Sequence, residues 1–166
     1  MSRDADLIAE YELQKHPEGG WFSECYTSED QADGRAFTGS IYFLLRSGEI
    51  SHFHQIDCDE IWYYHEGCGM RITVITDNSR EEYLLGNDLD KGERVMVVIP
   101  KGAIFAAENM DDDGYTFVSC ATTPKFTYDG FRLVYANELR ENHPGLPEEV
   151  YNLAYKKALE EGKHDR

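Results

Sequence analysis

The chain has 166 residues, a length that suits one domain with a buried core and no need for disulfides or a structural metal. It carries 16 basic and 32 acidic residues, so its formal net charge of −16 would repel the phosphate backbone of a nucleic acid or an anionic membrane surface. Hydrophobic residues make up 41% and aromatic residues 13%, which favours a β-rich interior or an aromatic-walled pocket.

The N-terminal segment predicts a helix over residues 4–15. Leu7, Ile8 and Tyr11 recur at helical spacing, and Pro17 lies just beyond the end. We expect this helix to cover part of the core rather than to contribute to catalysis.

Strand-like runs fill the middle of the chain. They alternate with turn residues at intervals of about ten residues, and helical periodicity is absent there. This pattern is typical of a β-sandwich or barrel, and it predicts that consecutive runs are antiparallel neighbours. The runs cover residues 21–27, 40–46, 50–54, 60–66, 70–76, 81–85, 94–99, 104–108, 115–122 and 131–135.

The last predicted element is a helix over residues 146–161. Pro147 suits its first turn, and apolar residues from Val150 to Ala158 lie on one stripe. We expect this helix to pack on the outside of the barrel. All 166 residues then form a single domain whose barrel core covers about 20–135.

The cysteines are scattered and form no C-x-x-C pair. No positively charged leader with an apolar core opens the sequence, and no apolar run approaches membrane-spanning length. We therefore expect reduced thiols and a cytoplasmic protein that has neither nucleic acid nor a membrane as a partner. Cys58 lies close to the histidines described next and could serve as a ligand or nucleophile, but a buried, inert thiol is the commoner role.

The segment around His52 and His54 gathers candidate functional groups. Histidines at i and i+2 on an extended strand project from the same face, about 6.6 Å apart along the backbone, so both rings are predicted to face one cavity. Glu60 adds a carboxylate after a turn. The pattern favours a ligand-facing site over the alternative, a pair of partly buried histidines bonded to neighbouring carboxylates and tyrosines.

Several separate motifs carry a family resemblance over roughly residues 13–135. They are His16-Pro17-Glu18-Gly19-Gly20-Trp21, Ser40-Ile41-Tyr42-Phe43-Leu44-Leu45, the block from Gly48 to Gly67, Gly92-Glu93-Arg94, Val98-Ile99-Pro100-Lys101-Gly102 and Phe126-Thr127-Tyr128-Asp129-Gly130-Phe131. Through them the chain resembles the cupin superfamily, and in particular its cupin 5 branch (DUF985). The resemblance implies a mainly β fold, a double-stranded β-helix or jelly-roll barrel with short helices at both ends.

Both general cupin motifs are present in altered form. In the first, the spacing from His54 to Glu60 is longer than usual, and Asp59 would satisfy the usual gap. In the second, Phe105 stands where the family has a ligand histidine. The resemblance therefore implies a metal set of at most His52, His54 and Glu60, which could still bind a divalent ion such as iron, manganese, nickel or zinc.

Three functions are open for the predicted site. The leading one is binding of a small molecule, with metal-free epimerase or isomerase activity on a sugar-like or carbonyl-bearing substrate, as the resemblance to cupin epimerases suggests. His54 would be the base, oriented by Glu60 or Asp59, and Tyr64 the acid. The second function is a metal-dependent enzyme built on His52, His54 and Glu60.

The third function is a non-catalytic receptor. In it the ligand is held by His52 and His54 and by aromatic side chains near them. These predicted ligand-binding aromatic residues are Phe53, Trp62, Tyr64 and Phe105.

Paired glycines precede the first long strand. Gly19 and Gly20 let the chain turn sharply there, and in related cupins such early strands often reach a neighbouring subunit. We therefore expect a homodimer.

Overall fold

Thirteen strands form within residues 2–77 and 79–156, the parts of the chain that the computed structural model describes. In chain order they are β1 (Gln14–Lys15), β2 (Trp21–Thr27), β3 (Gln31–Ala32), β4 (Arg35–Ala36), β5 (Gly39–Arg46), β6 (Ile50–Ile56), β7 (Asp59–Gly67), β8 (Met70–Ile75), β9 (Arg80–Leu85), β10 (Met96–Ile99), β11 (Ile104–Asn109), β12 (Tyr115–Thr123) and β13 (Phe131–Leu133). The ends of all ten predicted runs agree with the observed strands to within two residues.

The strands assemble into two antiparallel sheets that pack on each other. One has the order β1-β2-β5-β12-β7-β10 and the other the order β13-β6-β11-β8-β9, while β3 and β4 form a separate hairpin. Phe43 and Trp62 from the first sheet and Ile72 and Phe105 from the second are each at most 1% exposed and belong to one core cluster. The predicted mainly β jelly-roll barrel is confirmed.

The prediction that consecutive strands are antiparallel neighbours holds for β2 with β5 and for β8 with β9, and is wrong for the other predicted strands. β5, β6 and β7 alternate between the sheets, and β5 pairs with β12 instead of β6. In a jelly roll, most connections cross from one sheet to the other, so closeness along the chain does not set the pairing.

Three α-helices flank the barrel in the described residues: α1 (Arg3–Glu10), α2 (Ala136–Asn142) and α3 (Glu148–Tyr151). None of these described helices is long and apolar enough to cross a membrane. The predicted helix over 4–15 is too long, because Glu12 adopts a positive φ of 54° and Gln14–Lys15 pairs with β2. This pairing is a tertiary contact that helical periodicity does not detect.

The C-terminal segment also differs from the prediction. The single helix expected over 146–161 is only the short α3, and the positions from 157 onward lie outside the described residues. The helix α2 was not predicted from the sequence. Both helices pack on Phe53 of β6 through buried residues that include Leu139 and Val150, so they cover the outer face of the β6 sheet.

The turn after β7 requires a glycine. Gly67 has a φ of +100°, and a Cβ added there would lie 2.1 Å from the carbonyl oxygen of Tyr115 at the start of β12. Both the positive φ and the close approach of two backbones exclude a side chain.

We expect Gly67→Ala to lower the free energy of unfolding by ~2 kcal/mol or more, because the methyl group must displace the β12 backbone in addition to adopting a strained φ. Gly48→Ala is the matched control: Gly48 has a φ of +87°, and no described atom lies within 4 Å of the added methyl. Its cost should be only the ~1 kcal/mol of backbone strain. Urea unfolding followed by tryptophan fluorescence measures both, and equal losses would contradict the close-approach explanation.

Candidate functional site

A cavity of about 410 Å³ lies between the two sheets, near the turn that joins β6 and β7. Its volume suits a small organic ligand. Its buried lining residues include two histidines and two glutamates, namely His16, Glu18, His54 and Glu60. Apolar side chains form much of the remaining wall: Phe22, Ile41, Phe43, Ile56, Trp62 and Phe126.

The ring of His54 has an acceptor at each nitrogen. Its Nδ1 lies 2.7 Å from the carbonyl oxygen of His52, and its Nε2 lies 2.9 Å from Oε2 of Glu18. A carbonyl and a carboxylate only accept hydrogen bonds, so we assign a hydrogen to both nitrogens and therefore an imidazolium. The Ser51 hydroxyl donates to the second oxygen of Glu18 at 3.0 Å. His54 and Glu18 thus form a buried ion pair.

The surroundings of His54 and Glu18 favour the charged form of both groups. Burial lowers the pKa of His54, but the charge of Glu18 and the hydrogen bonds to Glu18 and His52 outweigh it, so the net effect raises this pKa. Burial raises the pKa of Glu18, but the charge of His54 overcomes it and brings the value to about 2. The stabilisation from Glu18 is therefore lost as the pH falls through about 2, and that from His54 is lost as the pH rises through its raised pKa.

Glu60 behaves differently from Glu18. Burial and the negative charge of Glu18 raise the pKa of Glu60 to about 7, against the opposing effects of His54 and of the Trp62 indole N–H, which donates to Oε1. Among the described residues, Oε2 has no hydrogen-bond partner, and it is not sealed from the cavity. Glu60 is therefore a carboxyl group that exchanges its proton near neutral pH with one oxygen open to the cavity.

His16 is an acid–base group that the sequence analysis did not assign to the site. Its ring is 5% exposed, and the backbone N–H of Glu18 donates to its Nδ1 at 3.2 Å, which places the ring hydrogen on Nε2. Burial lowers the pKa of His16, so the ring stays neutral. Within residues 2–77 and 79–156, the Nε2–H has no hydrogen-bond partner. The cavity therefore contains a neutral imidazole that can donate one hydrogen bond.

The structure does not bring His52 and His54 into one cavity. The His52 ring stacks on Tyr155, with a centroid separation of 3.7 Å, and lines a second cavity of about 240 Å³ beside Gly20. Its Nδ1 lies 2.8 Å from the carbonyl oxygen of Glu18. The two histidines lie on one strand face, as their spacing predicts, but the loop that carries Glu18 divides that face.

The aromatic residues predicted to bind the ligand do not all line the cavity. Trp62 lines the cavity, whereas Phe105 is fully buried against the ring of His54, with a centroid separation of 4.1 Å. Phe53 points to the opposite face of β6, against the C-terminal helices, because neighbouring residues of a strand face opposite sides. Tyr64 does not line the cavity, and its hydroxyl donates to a backbone carbonyl at the end of β7 at 2.6 Å.

The groups expected to bind a metal do not converge. His52 lies in the second cavity, and the Nε2 of His54 is occupied by Glu18. The described part of the chain contains no group of three or more His, Cys, Asp or Glu residues that could hold an ion. Burial raises the pKa of Cys58 to about 11, so its thiol is neither a thiolate ligand nor an activated nucleophile. The residues present therefore do not fit a divalent metal in this arrangement.

The two jelly-roll sheets and the cavity between them define a cupin-type barrel. Residues 5–134 match the family model described as Cupin superfamily (DUF985), and the chain therefore belongs to this family. This match confirms the resemblance drawn from the sequence motifs, which include the segment that carries His16 and Glu18.

Individual relatives agree with this assignment. A protein of known structure from Shewanella oneidensis is 37% identical in sequence to this chain. The two structures superpose with a TM-score of 0.87, and the match covers 95% of this chain and 100% of that one. A hypothetical protein from Leishmania major is 29% identical with a TM-score of 0.85, covering 92% of this chain and 98% of that one. The uncharacterized protein YML079W of Saccharomyces cerevisiae is 27% identical over 90% of this chain and 83% of its own length.

We expect Glu18→Gln to bring the pKa of His54 below its ordinary value of 6.5, because the variant leaves a buried ring without the compensating charge. The free energy of unfolding at neutral pH should fall by about 3 kcal/mol in this variant. ¹⁵N NMR of the ring nitrogens checks this: both should stay protonated at pH 7 in the parent protein, and Nε2 should lose its hydrogen in the variant.

Ser51→Ala is the control for that substitution. It removes a hydrogen bond to Glu18 and leaves the charge of Glu18 in place. His54 should remain doubly protonated at pH 7 in this variant, and an unchanged His54 titration in Glu18→Gln would contradict the ion-pair assignment.

Proposed function

We propose that this protein binds a small carbonyl-bearing molecule in the cavity and moves a proton on the carbon next to its carbonyl group, as a metal-free isomerase or epimerase. The observation that carries the proposal is the carboxyl group of Glu60, with a pKa of about 7 and a free oxygen in an aromatic-walled cavity. A base with a pKa near the working pH is suited to proton abstraction.

The proposed step uses two groups of the cavity. The Glu60 carboxylate takes the proton from the carbon, and the electron pair of the broken C–H bond moves to the carbonyl oxygen to give an enolate. The neutral Nε2–H of His16 donates a hydrogen bond to this oxygen. Return of the proton from Glu60 to the carbon restores the carbonyl compound, and the carbon is inverted when the planar enolate has turned its other face to Glu60 before the proton returns.

His54 takes an indirect role in this proposal. Both of its ring nitrogens carry hydrogens that face acceptors, so neither can remove a proton from a substrate. The ion pair keeps Glu18 charged, and the charge of Glu18 helps to raise the pKa of Glu60. We therefore assign the base to Glu60 instead of His54, and the electrophile to His16 instead of Tyr64.

The apolar walls support the same step. Trp62 and Phe43 are each 1% exposed, and Phe22 and Phe126 also line the cavity. A ligand that fills this space displaces water from the acid–base groups, which strengthens the hydrogen bond to a developing enolate oxygen.

Glu60→Gln should reduce proton exchange by about 10²–10⁴-fold, because it removes the base and preserves the shape of the side chain. Exchange is measured by ¹H NMR in D₂O with a keto acid, phenylpyruvate, and with a ketose, dihydroxyacetone, after subtraction of the uncatalysed rate. Exchange that survives in Glu60→Gln would contradict the proposal.

Two control variants accompany this measurement. Glu108→Gln removes a carboxylate of β11 that does not line the cavity, and Tyr64→Phe removes the hydroxyl that the sequence analysis considered as the acid. Both should retain the parent rate. A loss of exchange in Tyr64→Phe would return the acid role to that residue.

The exchange rate should rise with pH through about 7, as the Glu60 carboxylate forms. Trp62→Phe should shift this rise to higher pH, because it removes the indole N–H that lowers the pKa of Glu60. Rate profiles from pH 5 to 9 measure the shift, and ¹³C NMR of the carboxyl group reports the pKa directly even if the substitution slows the reaction. An unchanged midpoint in both measurements would contradict the assignment of Glu60 as the base.

The metal-dependent and receptor alternatives predict different results in the exchange experiment. A metal enzyme would lose exchange after chelation and regain it with a divalent ion, whereas a receptor would bind carbonyl compounds without exchange. Exchange that persists after chelation, in protein shown by elemental analysis to be metal-free, distinguishes our proposal from both.

The homodimer remains a proposal as well. β10 is an edge strand of its sheet, and Met96 and Val98 on this strand are 47% and 44% exposed. Such an edge can pair with a second copy of the chain. Light scattering at micromolar concentration tests this, and a monomer would contradict it. The cytoplasmic location also stays a prediction.

A further inference from the structure

Lys125 is the only lysine or arginine among the described residues that line the cavity. Its side chain is 26% exposed, its Nζ donates to the Thr27 hydroxyl at 2.9 Å, and the same Nζ lies 3.6 Å from a carboxylate oxygen of Glu24. The cavity wall therefore includes one lysine, whose ammonium group lies beside Glu24 and is separate from the buried ion pair.

The backbone of Lys125 is fixed. Its N–H donates to the carbonyl oxygen of Ala36 at 3.0 Å, and its carbonyl oxygen accepts from Nε of Arg35 at 2.7 Å. Arg35 is itself held by two hydrogen bonds to Asp57, at 3.0 and 2.9 Å. The lysine therefore projects from a rigid support.

The first residue of β5 makes room for the lysine stem. A Cβ added to Gly39 would lie 2.8 Å from Cγ of Lys125, and Gly39 does not have a positive φ. The backbone conformation at this position is therefore not one that requires a glycine. The glycine is needed for the space that the lysine occupies along the cavity wall.

A short stretch of chain connects Lys125 to the strand that pairs with Glu60. Thr122 of β12 is the register partner of Glu60, and the Thr122 hydroxyl accepts from the N–H of Phe126 at 2.7 Å. The chain thus returns to the cavity directly after the strand that borders Glu60. Because Glu60 and Lys125 line the same cavity of about 410 Å³, a ligand that fills it contacts both residues.

An incoming anion can displace the present partner of the ammonium group at little cost. The Glu24 side chain is 61% exposed, and an ion pair with such a solvated partner is worth ~0–1 kcal/mol. The charges of Glu18 and His54 cancel each other deeper in the cavity. The ammonium group is therefore available to a ligand.

We propose that the ligand carries an anionic oxygen group, a carboxylate or a phosphate, which binds Lys125 while the carbonyl-bearing end of the ligand lies at Glu60. This inference rests on the proposed function, since it names the substrate class of the same cavity. It makes Lys125 a residue that determines specificity through charge.

Two matched pairs of probes test the inference. Phenylpyruvate and its neutral ethyl ester differ in a carboxylate, and dihydroxyacetone phosphate and dihydroxyacetone differ in a phosphate. Lys125→Met keeps the length of the stem and removes the charge. Lys125→Arg keeps the charge, and Lys91→Met removes an exposed lysine outside the cavity lining.

In the parent protein, at least one anionic probe should bind tenfold or more tightly than its neutral partner in calorimetry. Lys125→Met should weaken that binding about tenfold and leave the neutral probe unchanged, with KM rising more than kcat falls. Lys125→Arg should restore most of the affinity, and Lys91→Met should have no effect. The pair that responds identifies the group as carboxylate or phosphate.

Equal affinity for the charged and neutral probes, or equal weakening of both in Lys125→Met, would overturn the inference. Binding is read separately from exchange, so the two proposals can fail independently. Charge-selective binding through Lys125 without any Glu60-dependent exchange would leave the anion site standing and remove the proposed reaction. Glu60-dependent exchange without charge selectivity would leave the proposed reaction standing and remove the anion site.

Discussion

The buried ion pair between His54 and Glu18 is the interaction on which the rest of the site depends. It attaches the loop before β2 to the middle of β6, and it adds no net charge to an apolar interior. A buried pair of this kind is tolerated only when the remaining polar atoms are bonded, and here Ser51 and the His52 carbonyl complete it. The pair also acts on Glu60, because burial and the negative charge of Glu18 together raise the pKa of Glu60 to about 7.

The altered cupin motifs have a consistent physical explanation in this arrangement. At the position where the general pattern has a ligand histidine, Phe105 packs its ring against His54. At the nitrogen where an ion would bind, His54 meets a carboxylate. An aromatic ring and a charged partner thus occupy the surroundings of His54. In this arrangement His54 is held by side-chain partners and is not presented to an ion.

The strands were predictable because alternating apolar residues and glycine- or aspartate-rich turns are local signals. The same local rules placed His54, Glu60 and Trp62 correctly on strands that border the cavity. They failed where a distant segment returns to the barrel: the end of α1 depends on pairing with β2, and the separation of His52 from His54 depends on the Glu18 loop. For His16 and Glu18, the only signal was their membership of a family motif.

Glu18 reaches the cavity from a loop, whereas His54 and Glu60 belong to strands of the barrel. The identity of the strand residues therefore does not by itself determine their protonation. A relative with the same barrel and a different loop would present an identical histidine and glutamate in other charge states. Evolution can thus retune the reactivity of such a pocket by remodelling one surface segment, without disturbing the packing that holds the fold together.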